Sequence, residues 1–78
     1  MNIELWKKKF GENLERRMVE KGLSQTDLGR KADIAAKGIN DYINGKGVPS
    51  AWRLVNLAKA LDCTVDDLVD FGETVINW

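Results

Sequence analysis

The chain has 78 residues, 44% of them apolar and 31% charged, with 12 Lys and Arg against 12 Asp and Glu. This is one small domain, too apolar and too neutral to be disordered. It has no apolar run near the roughly 20 residues that cross a bilayer and no signal-peptide core, which excludes a membrane span. Histidine is absent and Cys63 stands alone, which excludes imidazole catalysis, an internal disulfide and a His/Cys metal site. No constellation calls for a cofactor or a small-molecule substrate, the chain reads as a non-enzyme, and a lone cysteine fits a reducing cytoplasm.

The neutral total conceals an uneven distribution. Residues 1–53 carry 11 Lys and Arg against 7 Asp and Glu, a balance of +4. Residues 54–78 carry Lys59 against Asp62, Asp66, Asp67, Asp70 and Glu73, a balance of −4. A phosphate-bearing partner is expected on the first two-thirds of the chain.

Apolar residues recur at helical spacing from end to end, and no stretch alternates long enough for a strand. The expectation is an all-α fold of five short helices, at about 5–21, 25–32, 36–44, 51–61 and 65–69. In the first, Trp6, Phe10, Leu14 and Met18 step by four, and Gly22 ends it after the basic Lys21. Lys7, Lys8 and Lys9 suit its opening turns, with a basic arm along a phosphate-bearing partner as the alternative. Ser24 caps the second helix, with Asp27 in its positive first turn. A joint at 33–35 leads to the third, which Asn44-Gly45-Lys46-Gly47 closes. Ser50 caps the fourth after Pro49, and Thr64 caps the fifth. The expected core is Phe10, Leu14, Met18, Leu23, Leu28, Ala32, Ile39, Tyr42, Ile43, Leu54, Leu57, Ala58, Leu61, Val65 and Leu68, with Cys63 as a small buried hydrophobe.

Two short helices joined by a tight turn make a helix-turn-helix at about 24–45, a weak signal alone. Its surroundings are more specific. Gly22-Leu23-Ser24-Gln25 precedes it, Asn44-Gly45-Lys46 closes it, and Leu57-Ala58-Lys59-Ala60-Leu61 follows. With these blocks at these spacings, residues 7–71 resemble the lambda-repressor-like family of DNA-binding domains, the phage CI and Cro repressors and their bacterial relatives. The resemblance implies a compact five-helix domain over 1–71 whose third helix lies in the major groove of double-stranded DNA. It implies a sequence-specific transcriptional regulator, a repressor of phage or bacterial type.

On that geometry, Gln25 at the start of the second helix and Asn44, Lys46 and Arg53 after the third are the expected phosphate contacts. Asn44 also suits a helix cap. With Ile39, Tyr42 and Ile43 facing inward, Ala36, Lys37, Asn40 and Asp41 face outward as base contacts. Lys37 suits guanine O6/N7, Asn40 an adenine edge, Ala36 a thymine methyl, and Asp41 a cytosine amino group or a lysine neighbour. The chain departs from the family at Ala35, where a Ser or Thr cap is common. Gly38, inside the recognition helix, costs it roughly 1 kcal/mol relative to Ala. Met18 and Ile43 stand where the family frequently has an ion pair.

Residues 72–78 form a tail outside the resemblance. Val75, Ile76 and Trp78 either fold back on the core or, with Val69, meet a second copy across a two-fold axis, giving a homodimer for a pseudo-palindromic operator. A different class stays open: an antitoxin or protein-interaction module on the same fold, which zero net charge, Gly38 and Asp41 favour.

Overall fold

The computed structural model describes residues 1–72, and among them every regular element is a helix. The five are α1 (Ile3–Lys21), α2 (Gln25–Ala32), α3 (Ala36–Ile43), α4 (Ala51–Ala60) and α5 (Val65–Val69). None is long and apolar enough to cross a membrane. α1 begins at Ile3, two residues before the expected 5 and behind an Asn2 cap outside that expectation, and the other four starts fall where expected. Asn2 Oδ1 accepts from Leu5 N, and Ser50 Oγ from Arg53 N. Ser24 with Asp27, and Thr64 with Asp67, form reciprocal capping boxes that satisfy donors at both ends of the pair. Ala35 supplies no cap to α3. The expected ends at Asn44 and Leu61 become flanking caps, one residue beyond the last helical position.

α1 packs on α3 and α5, α2 on α3 and α4, and α4 on α5, enclosing one core. Phe10, Leu14, Leu28, Ile39, Leu57, Leu61 and Leu68 are fully buried within it, while Leu23, Ile43, Leu54, Val65 and Cys63 sit half-buried at its margin. Those margin residues lie near helix ends, where the apolar stripe meets solvent. Met18 is inside and Ile43 packs against the same cluster, so apolar packing occupies the position of the family's ion pair. Burial raises the pKa of the Cys63 thiol, consistent with a packing role.

Ile34 and Asn13 are buried although the expected core leaves them out. Ile34, in the joint between α2 and α3, is 5% exposed, and Asn13 is 4% exposed. Asn13 Nδ2 donates to the carbonyls of Asp67 and Leu68, at 3.1 and 2.7 Å, and its Oδ1 accepts from Arg16. It thereby satisfies carbonyls that a five-residue α5 leaves without intrahelical partners.

The contact that sets α3 in place is the approach of α1 at Gly11. A methyl on Gly11 would lie 2.6 Å from Ile43 O and closer still to Tyr42 O. Beside it, the Phe10 ring stacks on Trp6 at 5.1 Å and meets Tyr42 edge-on at 6.1 Å. Glycine to alanine inside an ordinary helix gains up to about 1 kcal/mol. Here Gly11→Ala is expected to lose about 1–3 kcal/mol, because backbone must move, and to lower the thermal midpoint by several degrees. An unchanged or raised midpoint in calorimetry would show that the α1–α3 contact is slack.

The capping boxes also carry a pH signature. Hydrogen bonding to the Ser24 side chain, then to its backbone N–H, holds the Asp27 carboxyl below its ordinary range. The backbone N–H of Thr64, then its side chain, does the same for Asp67. A carboxyl whose pKa is lowered by folding contributes stability above its unfolded value, and that contribution disappears as pH falls through the folded value. Stability from denaturant titrations is therefore expected to fall as pH drops below about 4. Asp27→Asn with Asp67→Asn should flatten that fall.

Candidate nucleic-acid interface

The turn between α2 and α3 is built by three residues with separate tasks. Asp33 takes the left-handed conformation, φ 58°, that ends α2. Ile34 then drops into the core, its N–H donating to Gly29 O at 2.9 Å, and its carbonyl folds over Gly29 where a Cβ would stand. Ala35 opens α3. From there Ile39 and Tyr42 point into the core, so Ala36, Lys37 and Asn40 are exposed and Asp41 is half-exposed on the opposite face. The four expected base-reading residues thus share one outward ridge.

The ridge has its own polar order. Lys37 Nζ pairs with Asp41 Oδ2 at 3.2 Å, one helical turn apart, with Lys37 almost fully in solvent. Such exposed pairs hold with only about 0.3–0.5 kcal/mol, so either partner can exchange the other for a base edge. Asn44 Nδ2 donates to Asn40 O at 2.9 Å and to Asn40 Oδ1 at 3.1 Å. Both amide hydrogens of Asn44 are thereby engaged in closing the α3 terminus. Of the two roles expected for Asn44, the structure displays the cap.

Around the ridge stand the other expected contacts. Gln25 is half-buried in the first turn of α2, next to the Ser24 cap. Lys46 is exposed, its backbone N–H donating to Asp41 O at 2.8 Å. Arg53 is half-buried in the first turn of α4, and its Nη1 donates to Tyr42 Oη at 2.8 Å. That hydrogen bond ties a cation of α4 to α3, a link no local spacing announces.

Sequence reasoning also misses where Lys8 lies. The three lysines belong to α1, as the spacing of Trp6 and Phe10 suggests, with Lys7 paired to Glu4 at 3.3 Å. Yet Gly45, in a left-handed turn at φ 71°, packs against the Lys8 backbone. A methyl there would sit 3.6 Å from Lys8 Cα. The exposed Lys8 therefore belongs to the same edge of the molecule as Lys46, and only the helix packing discloses it. Trp52, 61% exposed in the first turn of α4, is another surface residue that periodicity does not mark.

The expected dimer contacts fare differently. Val69 is half-buried against the chain's own core, and Phe71 packs edge-on to Trp6 at 5.9 Å. Val75, Ile76 and Trp78 lie outside the described residues. The acidic Asp66, Asp67 and Asp70 are carried by α5 and its end, the helix that packs on α1 and α4. No group of His, Cys, Asp and Glu among the described residues is arranged to hold a metal ion.

Known structures can be compared with this arrangement. The restriction-modification controller protein C.AhdI from Aeromonas hydrophila superposes with a TM-score of 0.78 and 29% identity, over 80% of this chain and 94% of that one. The P22 c2 repressor, solved in complex with a synthetic operator, gives a TM-score of 0.75 and 26% identity over the same shares. The clp gene regulator ClgR from C. glutamicum, at 18% identity, shares the fold with a TM-score of 0.79 over 92% of this chain and 96% of that one. Comparison with curated protein sequences yields no match. A family model described as helix-turn-helix matches residues 14–68, a stretch that begins inside α1, closes in α5 and holds the α2–turn–α3 unit at its centre. By that match the chain belongs to the HTH_3 helix-turn-helix family.

Proposed function

We propose that this chain is a sequence-specific DNA-binding transcriptional regulator, a repressor that lays α3 in the major groove of an operator. The observation that carries the reading is the outward ridge of Ala36, Lys37, Asn40 and Asp41, backed by the buried Ile39 and Tyr42. A rigid backing with exposed donors, an acceptor and a methyl is what reading base edges requires. Gln25, Asn44, Lys46 and Arg53 flank the ridge as phosphate contacts, Asn44 doubling as the α3 cap, and Lys8 joins them at the Gly45 edge. The likeness to the P22 c2 repressor, which was solved on a synthetic operator, supports the same docking. Repression follows by occlusion of a promoter.

Zero net charge does not oppose this reading, because the balance is +4 over residues 1–53 and −4 over the rest. Phosphates meet the local field of the near surface rather than the total, since charges beyond about 10 Å are screened at ordinary ionic strength. Affinity should then fall steeply with salt, as counterions are released from the duplex. Titration of genomic DNA fragments at low and high salt tests the reading directly. Absence of salt-dependent binding would favour the protein-interaction alternative. With a selected operator, Lys37→Ala should relax preference at one base pair by about 1–3 kcal/mol, whereas Gln25→Ala should weaken all sequences alike.

Binding as a homodimer to a pseudo-palindromic site is part of the proposal, with Val69, Val75, Ile76 and Trp78 as its contact residues. Sedimentation of the whole chain against a chain ending at Phe71 examines it. Loss of the dimer in the shorter chain is the expected result, and an unchanged dimer would remove the tail from the interface.

A further inference from the structure

We infer that Tyr42 is a positioning residue for DNA binding. Its phenolic oxygen holds the Arg53 guanidinium alongside the first turn of α3, in the gap left by Gly38, ready for a backbone phosphate. This rests on the DNA-binding reading above and adds to it a residue that lies in the core.

Three observations converge. The Tyr42 ring meets Phe10 edge-on at 6.1 Å and lies beside Gly47, where an added methyl would stand 3.4 Å from it. Its oxygen, at the core margin, accepts from Arg53 Nη1 at 2.8 Å. Arg53 is anchored at its other end as well, since its backbone N–H is the donor that Ser50 Oγ caps. A side chain with four rotatable bonds is thereby held at both ends, which removes much of the entropy cost of presenting it to a ligand.

The second observation is Gly38. A methyl at Gly38 would stand 3.8 Å from Arg53 Nη1 and 3.0 Å from Ile34 Cγ2. A larger side chain would occupy the space beside the guanidinium. The glycine that weakens α3 as a helix therefore leaves room for the Arg53 guanidinium beside its first turn.

The third is charge. Among the described residues no carboxylate stands within ion-pair distance of Arg53, and the nearest acid on α3, Asp41, is engaged by Lys37 at 3.2 Å. Arg53 also sits in the first turn of α4, the positive end of the helix dipole, where a cation is unfavourable. Among the described residues the neutral phenol is its one side-chain acceptor, so most of its five N–H donors remain for an anion. A half-buried guanidinium at the wrong end of a helix, oriented but not neutralised, is poorly explained by stability. It suits a phosphate, which guanidinium grips with two parallel hydrogen bonds.

The test uses the whole chain and fluorescently labelled genomic DNA fragments, titrated over a series of salt concentrations. Tyr42→Phe removes one oxygen and keeps the ring, and circular dichroism checks that the helices persist. It should weaken binding to all sequences by about tenfold and reduce the slope of log affinity against log salt by about one phosphate's worth, roughly 0.9. Arg53→Gln should produce the same change, and the double variant should be no worse than Arg53→Gln alone, because both substitutions remove one contact. An unchanged slope in Tyr42→Phe beside a reduced slope in Arg53→Gln overturns the positioning role while leaving the DNA reading intact. So does a double variant whose losses add. If neither the parent chain nor any variant binds with a salt dependence, the DNA reading itself fails and takes this inference with it.

Discussion

The architecture turns on the close passage of α1 over the end of α3, where Gly11 lets two backbone carbonyls rest on a helix surface. α3 has little helical stability of its own. It is eight residues long, carries no N-terminal cap, and contains Gly38. Isolated helices below about 12–15 residues are marginal even with good sequences. What makes it a helix is the burial of Ile39 and Tyr42 against α1 and α2, with Phe10 edge-on to the Tyr42 ring. The same burial decides which residues face out. Formation of α3 and presentation of its outward face are therefore one event.

α1 serves a second purpose along its length. Asn13, one turn from the Phe10–Tyr42 contact, sends its amide into the terminal carbonyls of α5. Asn56 of α4 does likewise for α2, donating to Ala32 O at 3.2 Å. Short helices leave a large share of their backbone groups without internal partners, and these amides complete them from a neighbouring helix. Because each such bond crosses between elements, it also locks their relative orientation. α5 with its aspartates is thus tied to α1 through Asn13.

The interface that results is balanced rather than simply positive. The Lys37–Asp41 pair neutralises the centre of the ridge. Lys46 and Arg53, which pair with no carboxylate among the described residues, are each secured through backbone or side chain to residues of α3. These directed donors lie in the part of the chain whose balance is +4, while the compensating −4 lies in residues 54–78.

Much of this was legible in the residues alone. The five helices, their Ser and Thr caps, the missing cap at Ala35 and the outward set on α3 follow from spacing and local hydrogen-bonding chemistry, which act within one or two turns. The three blocks around the helix-turn-helix carried the family. Other features depended on which elements meet. Ile34 reads as a loop residue until the turn is seen to fold it over Gly29. Asn13 reads as a polar helix position until α5 is seen to end against it. The Lys8–Gly45 approach and the Arg53–Tyr42 hydrogen bond join residues 37 and 11 positions apart, on elements whose mutual packing no local period encodes. Helical periodicity tells which face of each segment must be buried; only the assembled core decides what that face is buried against, and so which polar groups are brought together at its rim.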